Sequence, residues 1–429
     1  MPILAILETI KKALFFTLSL WWIYVPIFLL GVFKTRWLLY VNGKYVSSLK
    51  WVLFEVQIPR EETFGPKAME QIFAGLSGTG SKGNLLAKYI QGKVPDWFSF
   101  EIVGIDGEVH FFIRAVARQK NLLESLIYAQ YPTAIIQEVE DYAARIPKDA
   151  PNSSFDVYGS DFILAGANHL PIRTYPLFQD IYSKDMVDPL NSFMEILTKL
   201  QHGELLGMQI LIRASDGSWK KDADKEVAKI IGKKVAPTPK TGFDDVKSRV
   251  LFEFSDMKRM FFEGLISGET APKDYPEDKK PEGVGESMVQ YLSPGEKEAV
   301  GAIEMKTSKI GFESAMRIFY FSRQDTKNVM NFFAVAGALK QFTIQNLNGF
   351  KPDADTITNV DYIFKNFRIL YRKRLLLNKY ILRDIFRTVF ILNTEELATL
   401  YHFPGILAKA PMLSRVEAKR AEPPMSLPI

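Results

Sequence analysis

Residues 75–83 read GLSGTGSKG and combine glycines, small polar side chains and one lysine, as loops that cradle phosphate do. A P-loop requires Gly-x-x-x-x-Gly-Lys-Ser/Thr between a strand and a helix, because the lysine reaches phosphate and the hydroxyl binds magnesium. Gly75 and Gly80 have the required separation, but Ser81 stands where the lysine belongs. The stretch also follows a predicted helix. We therefore interpret it as a loop that leaves that helix.

The other residue types that commonly carry chemistry show no catalytic spacing. The four histidines are His110, His169, His202 and His402, and none lies three or four positions from another, as a metal site on a helix requires. The chain has no cysteine, which excludes thiolate catalysis and cysteine-based zinc sites. Paired carboxylates such as Glu61 and Glu62 are common in turns. We predict a non-enzymatic protein without a catalytic, cofactor or metal site.

An uncharged stretch near the N-terminus predicts a membrane anchor. The 21 residues from Ala13 to Phe33 carry no charge. A helix of this length spans roughly 30 Å, the thickness of a hydrocarbon core. The run is longer than the roughly 7–15 apolar residues of a signal peptide. Basic residues are more frequent after it than before it, which predicts a single-pass protein of the cell membrane with a cytoplasmic main body.

The next hundred residues alternate between strand and helix patterns. Strands are predicted at 51–59 and 133–142, helices at 65–76 and 119–132, and a hairpin at 97–117 around the turn Asp106-Gly107. The resulting order β-α-β-β-α-β is that of the ferredoxin-like, or split βαβ, unit. We assign residues 51-145 to a first ferredoxin-like domain and residues 1-50 to the membrane anchor and juxtamembrane segment.

A second, looser pass of the same kind occupies residues 155-350. Strands are predicted at 156–165, 204–215, 311–323 and 343–350, and helices at 188–200, 224–234, 293–308 and 325–342. Residues 235-290 mix prolines, glycines and charges, and form a long insertion or linker. The predicted fold class is therefore α+β, with an N-terminal transmembrane helix and two tandem ferredoxin-like domains, the second with a long insertion.

Residues 360-429 contain a basic segment, a short capped helix and an extended proline-rich tail. Segment 365-387 carries eight basic residues against the single acid Asp384, and aromatic and aliphatic residues lie between them. It is either a solvated basic face or a contact for an anionic partner such as nucleic acid or lipid headgroups. The candidate contacts are Arg368, Arg372, Lys373, Arg374, Arg383 and Arg387.

A capped helix follows the basic segment. Asn393 is a good N-cap, Glu396 stands at the third helical position, and Pro404 ends the helix. The tail beyond it has no core periodicity and is expected to lie along another surface. We select as candidate partner contacts Asn393, Thr394, Glu395, Glu396, His402, Phe403, Pro404, Pro423 and Pro424.

Two stretches carry a resemblance to a known family. NTEELATLYHFPG (393–405) followed by a PPxxLP close, and FEVQIPREETFGPKAMEQIFAGL (54–76), resemble uncharacterised membrane proteins of conjugation-type systems in candidate-phyla bacteria. In longer relatives the first segment precedes a motor ATPase of the HerA/conjugative-coupling type. The resemblance implies a membrane-anchored accessory region for a DNA or protein translocase.

The resemblance also bears on the expected partners. This sequence ends at Ile429, where the relatives continue into the ATPase, so we expect the motor to be supplied in trans. The predicted function is a scaffold or accessory subunit of a conjugation or type IV secretion-like translocase, held in the lipid bilayer through Ala13 to Phe33. The alternative is a membrane-tethered nucleic-acid-binding protein that uses segment 365-387. The sequence leaves the oligomeric state open.

Overall fold

The computed structural model describes residue 19 and residues 21–59, 65–80, 85–178, 188–232, 292–361, 364–385 and 389–404. In these residues the chain forms an α+β fold with nine strands and ten α-helices. It divides into two compact units, residues 1–217 with 306–429 and residues 218–305. The first unit contains the sheet, and the second contains α6 and most of α7, whose bounds follow.

The strands are β1 (Trp51–Gln57), β2 (Phe98–Ile105), β3 (Glu108–Val116), β4 (Ile135–Val139), β5 (Phe155–Leu164), β6 (Glu204–Ala214), β7 (Gly311–Arg323), β8 (Phe350–Pro352) and β9 (Phe390–Asn393). The helices are α1 (Trp21–Ser48), α2 (Pro66–Leu76), α3 (Leu85–Tyr89), α4 (Lys120–Gln130), α5 (Asn191–Thr198), α6 (Trp219–Ile230), α7 (Pro294–Ser308), α8 (Met330–Ala338), α9 (Lys365–Leu382) and α10 (Thr394–Leu400).

All nine strands belong to one antiparallel sheet. Its order is β4-β1-β3-β2-β6-β7-β5-β8, and β9 pairs with the first residues of β7. The central seam joins β2 to β6, from the pair Phe98 and Ile212 to the pair Ile105 and Leu205. Outward from this seam the first half runs β2-β3-β1-β4 and the second half runs β6-β7-β5-β8. Both halves therefore have the same connectivity, with their second, third, first and fourth strands in that order.

The helices that follow the first strand of each half cover one face of the sheet. In α2 the residues Met69, Ile72 and Phe73 recur at helical spacing, and all three are buried. They belong to the same core cluster as Phe193 of α5 and Phe332 of α8. A large apolar core therefore lies on this face and runs through both halves. The opposite face carries a smaller cluster under α9.

The predicted hairpin at 97–117 is confirmed. β2 and β3 pair from Ser99 and Arg114 to Ile105 and Glu108, and Asp106 takes the left-handed φ of 54° that its turn requires. The predicted strand at 343–350 is wrong, since β8 begins only at Phe350. The preceding residues form a loop, in which the amide of Ile344 donates to the carbonyl of Asn348.

Helix α1 is attached to the sheet by its C-terminal half. Trp37 Nε1 donates to the carbonyl oxygen of Tyr89 over 2.8 Å, and Val46 packs beside Trp51 and Trp97. Large apolar side chains are exposed instead at Trp21, Trp22, Val25, Ile27, Phe28, Leu29, Leu30, Val32 and Phe33. In the described part of the chain, no helix is both long and apolar enough to cross a bilayer.

Several predicted features lie outside the described residues. These are residues 13–18 and 20 of the predicted anchor, the end of the glycine-rich stretch at 81–83, the insertion 235-290, Arg387, and the tail with Pro423 and Pro424. The part of the glycine-rich stretch that is described finishes α2 and continues as a 3₁₀ turn at Ser77–Thr79. It thus follows a helix, as the sequence predicted.

Candidate functional site

The basic segment forms helix α9, whose C-terminal half packs closely on the sheet. Leu376, Leu377 and Tyr380 are buried in the core cluster of this face. Two glycines allow the close approach. A Cβ atom on Gly207 would lie 2.4 Å from the hydroxyl oxygen of Tyr380, and one on Gly159 would lie 2.8 Å from Leu376 Cδ2. The strands below α9 therefore accept this helix only because they lack side chains at these positions.

Two buried ionic groups fix the end of α9. Arg383 Nε donates to Glu101 Oε1 over 3.0 Å, and its terminal nitrogens donate to Asp141 over 2.6 and 2.8 Å. Burial raises the pKa of Glu101, but the charge of Arg383 and the hydrogen bonds outweigh it and hold the pKa below its usual value. The carboxylate is therefore charged and compensated, as a buried charge must be.

The second group lies one helical turn earlier. Asp161 accepts from Arg317 Nε over 2.7 Å and from Lys379 Nζ over 2.5 Å. Arg317 also donates to Gln209 Oε1 over 3.0 Å. Desolvation raises the pKa of Asp161, but the two cations lower it below its usual value. These carboxylates and cations form ion pairs with one another and so hold the helix on the sheet. Within these two groups, no carboxylate is left free for acid–base chemistry.

The N-terminal half of α9 is different, because it presents large apolar side chains to solvent. Phe364 is 75% exposed, Phe367 73% and Tyr371 58%. Leu370 lies between them and is 37% exposed. We call these four residues, together with the exposed Arg368 and Arg374, the α9 face. Phe367, Leu370 and Tyr371 follow the spacing i, i+3 and i+4 and share one side of the helix, whereas Phe364 precedes the first helical residue and has a left-handed φ of 62°.

The structure separates the predicted basic contacts into two sets. Arg368 and Arg374 are exposed. Arg372 donates to the carbonyls of Ala354 and Ile357, and Lys373 pairs with Asp156 over 2.5 Å. Arg383 is completely buried. Expecting all of these cations to face a partner was therefore wrong for Arg383, because its guanidinium is used inside the fold.

The predicted capped helix is confirmed, but its side chains are directed into the chain. Asn393 Oδ1 accepts from the amide of Glu396 over 2.8 Å, and Glu396 Oε2 accepts from the amide of Asn393 over 2.8 Å. Glu396 also faces Lys306 at 3.2 Å, and both side chains are fully buried. Thr394 is 4% exposed. The sequence did not predict β9, which supplies the cap residue and joins this segment to β7.

The remaining candidate contacts of this segment are also held internally. Glu395 accepts from Lys309, which donates to Glu70 as well. His402 Nε2 lies 3.1 Å from Asp188 Oδ1, and Phe403 packs edge-on against Tyr131. Pro404 is partly buried. The sequence predicted an exposed partner surface at 393–404, and this prediction is wrong. The side chains of this segment complete the core on α2 instead.

A cleft of about 600 Å³ opens on the sheet face that carries α9. Its lining residues are Glu55, Ile105, Asp106, Glu108, His110, Phe112, Val139, Glu140, Tyr142 and Arg145. His110 Nδ1 lies 2.7 Å from Glu55 Oε1, and its ring stacks on Phe112. The hydrogen bond with His110 lowers the pKa of Glu55 despite partial burial. The lining offers carboxylates and an oriented imidazole, but no hydroxyl or amine nucleophile beyond the tyrosine.

Sequence reasoning missed the buried ionic groups and the Glu55–His110 pair. The partners are 55 positions apart in the second case and 282 in the pair Glu101–Arg383. A usable signal existed for Glu101, since it is a lone acid in the apolar run FSFEIVGI of β2. Within the described residues, no group of three or more His, Asp or Glu side chains is placed to hold a metal ion.

No protein-family model matches this chain, and no curated protein matches it significantly.

Proposed function

We propose that the chain is a non-enzymatic, membrane-anchored scaffold or accessory subunit for a conjugation- or secretion-type translocase ATPase supplied in trans. The anchor includes residues 13–33. The body consists of two ferredoxin-like units on the cytoplasmic side. The equal connectivity of the two halves supports the assignment of these units. Each half also follows the order β-α-β-β-α-β, with the short α3 added before β2 in the first half and α6 and α7 added between β6 and β7 in the second.

The apolar surface of α1 is the observation that carries the proposal. Its exposed large apolar residues between 21 and 33 are Trp21, Trp22, Val25, Ile27, Phe28, Leu29, Leu30, Val32 and Phe33. The four residues from Ile27 to Leu30 are consecutive and so surround the helix, whereas a helix at a protein surface is apolar on one side only. A helix that is apolar all round requires an apolar environment, and a bilayer provides it without a protein neighbour.

Membrane attachment is tested on the full chain, expressed in a bacterial host. Alkaline carbonate should leave it in the membrane pellet, while a variant with Phe28→Lys and Leu29→Lys should shift to the soluble fraction, since each lysine strongly opposes insertion. Because the chain has no cysteine, a single Ser153→Cys reports the side of the membrane by its reaction with an impermeant maleimide. Full extraction of the unmodified chain by carbonate would reject the anchor.

The ATPase partnership requires a separate test. Full chain purified in detergent should retain a motor ATPase whose gene lies beside its own. Deletion of residues 393–429 is unsuitable for mapping the contact, because 393–404 belongs to the core. The matched comparison is deletion of 405–429 alone, which leaves the buried Phe403 in place. Loss of the ATPase upon this deletion supports a contact through the tail, and absence of any ATPase from the full chain counts against the partnership.

Nucleic-acid binding through segment 365-387 remains the second candidate, and the exposed aromatic rings favour it. Bases stack on such rings when a cationic surface holds the backbone. The observation against a strong interaction is the engagement of Arg372, Lys373, Lys379 and Arg383 inside the fold. Arg368 and Arg374 are left as exposed cations of α9 at this surface, besides Lys365, which pairs with Asp361.

A further inference from the structure

We propose that the α9 face inserts into an apolar groove, rimmed by carboxylates, on the surface of a partner protein. The inference rests on the proposed function only for the identity of that partner, a translocase ATPase. The chemistry of the contact does not depend on that identity. Phe364, Phe367 and Tyr371 fill the groove, and Arg368 and Arg374 pair with its acidic rim. Helices that bind in grooves use anchors at positions such as i, i+3 and i+4, and Phe367, Leu370 and Tyr371 have this spacing.

The energetic argument concerns the aromatic side chains. Buried aromatic residues supply most of the binding energy at protein interfaces, and phenylalanine, tyrosine and arginine are enriched there. In the free protein Phe364 and Phe367 leave about three quarters of their surfaces in water. They therefore contribute little to the fold of this chain and have most of their apolar area left to bury on binding.

The helix presents these rings rigidly, so binding orders little of the chain. Its C-terminal half is held by Arg383 and Lys379 through the buried ionic groups. Nearer the rings, Arg372 donates to the carbonyls of Ala354 and Ile357 over 2.9 and 2.8 Å. A surface fixed before binding loses less conformational entropy when it binds.

The position of the α9 face favours a protein over the membrane. The C-terminal end of α9 lies where β2 begins, because Trp97 Nε1 donates to the carbonyl of Arg383 and Ile385 packs beside Trp97. The first residue of β1, Trp51, lies at the same end, with its ring 4.7 Å from that of Trp97. Helix α1 joins the sheet at this end. The helix then extends along β5 toward its first residues, where Lys373 pairs with Asp156. The aromatic rings thus lie at the end of the sheet opposite to the attachment of the anchor.

Charge excludes a second copy of the same helix and weakens the case for nucleic acid. Two α9 faces in contact would bring Arg368 and Arg374 of both copies together, and like charges repel in a desolvated interface. A polyanion, by contrast, would find Arg368 and Arg374 as the exposed cations that the described part of α9 places beside the rings, along with the already paired Lys365. The combination of many apolar groups and few charges matches a groove with an acidic rim.

A photo-crosslinking scan of the full chain in native membranes tests the proposal. A benzophenone amino acid replaces residues 364 to 375 one at a time, and Tyr128 on α4, which is 44% exposed, serves as the control position. Crosslinking to one protein should be strong at 364, 367 and 371 and weak at 369 and 373. The double variant Arg368→Glu, Arg374→Glu should lower the yield at 367 about tenfold, because it places like charges against the acidic rim.

The outcomes separate this inference from the proposed function. Three outcomes would overturn the α9 face as a protein contact. These are equal crosslinking yields around the helix, crosslinks to lipid or nucleic acid, and an unchanged yield in the charge variant. If a translocase ATPase still co-purifies in that case, the scaffold function stands. If the periodic crosslinks appear but join another class of protein, the inference stands and the scaffold function is rejected. The double charge variant leaves the buried half of α9 unchanged, so its thermal melting should match that of the unmodified chain.

Discussion

Arg383 and Glu101 form a fully buried ion pair, although 282 positions separate them in the sequence. Glu101 comes from the middle of β2, beside the seam between the two halves, and Arg383 follows the last residue of α9. Arg383 takes a left-handed φ of 52° that returns its guanidinium to the sheet. The pair therefore joins the end of the basic helix to the centre of the sheet and fixes the direction in which α9 extends.

Removal of one partner should destabilise the chain strongly. Arg383→Met leaves Glu101 as an uncompensated buried charge, and we expect a loss of about 3–5 kcal/mol in the free energy of unfolding. The double variant Glu101→Gln, Arg383→Met should lose less than the single one. Denaturant unfolding followed by tryptophan fluorescence measures both. Arg374→Met is the control, since this side chain is exposed and should change stability by less than about 0.5 kcal/mol.

The pH dependence of stability should reflect Asp161. Its pKa in the folded state lies below the value of 3.8 for the free side chain, because Arg317 and Lys379 favour its charged form. The unfolded state therefore takes up the proton first as the pH falls. The stabilisation is complete above pH 3.8 and is lost as the pH falls toward the folded pKa.

Melting temperatures between pH 7 and pH 3 measure this effect. The unmodified chain should melt at a nearly constant temperature down to about pH 5 and at falling temperatures below about pH 4. Asp161→Asn should melt lower at pH 7 and lose less on acidification. An acid dependence of Asp161→Asn equal to that of the unmodified chain would show that other carboxylates determine it, such as Asp156 and Asp188, whose pKa values are also lowered.

Two glycines offer a matched pair for the packing of α9. Gly207→Ala places a methyl group 2.4 Å from the Tyr380 hydroxyl, so either the helix or the strand must shift, and we expect a loss of about 1–3 kcal/mol. Gly337→Ala, inside α8, meets no atom within 4 Å and should be neutral or stabilising by up to about 1 kcal/mol. Equal melting temperatures of the two variants would contradict the close contact of α9 with β6.

Local features of the fold were predictable from the sequence, whereas the joining of distant parts was not. The hairpin at Asp106-Gly107 and the cap at Asn393 depend on residues within four positions, and both are confirmed. The pairing of β2 with β6 depends on two strand edges about a hundred residues apart. Periodicity shows which side of a strand is apolar, but it carries no information about which edge finds which partner.

The sequence was equally unable to show which cations of the candidate site are exposed. The eight cations of segment 365-387 look alike in sequence, yet Arg368 is exposed and Arg383 is completely buried. The difference arises from Glu101 and Asp141, acids far away in the chain that meet Arg383 under α9. The aromatic residues between the cations were visible in the sequence, but their exposure depends on where the helix leaves the sheet.

The second candidate function makes a quantitative prediction for salt. If nucleic acid binds at the α9 face, about two phosphates contact Arg368 and Arg374, and log K for a single strand should fall against log salt with a slope of about −1.4. Fluorescence anisotropy of a labelled single-stranded oligonucleotide between 50 and 200 mM salt measures it. A slope near −6 would require many more cations than this face exposes, and Arg368→Ala should then have little effect.

The capping box of α10 provides the test of whether segment 393–404 is structural. Asn393→Ala removes the side chain that accepts from the Glu396 amide, and the loss of such a cap costs about 1 kcal/mol. Asn393→Asp keeps an accepting oxygen and is the control. The aspartate places a negative charge near Glu396. The melting temperature of Asn393→Asp should nevertheless lie closer to that of the unmodified chain than the melting temperature of Asn393→Ala does. The side chain of Asn393 is only 4% exposed. At a temperature where both variants are folded, neither should therefore alter the recovery of an ATPase with the full chain. A loss of ATPase recovery in Asn393→Ala without a change in melting temperature would contradict the structural role and return this segment to the partner surface.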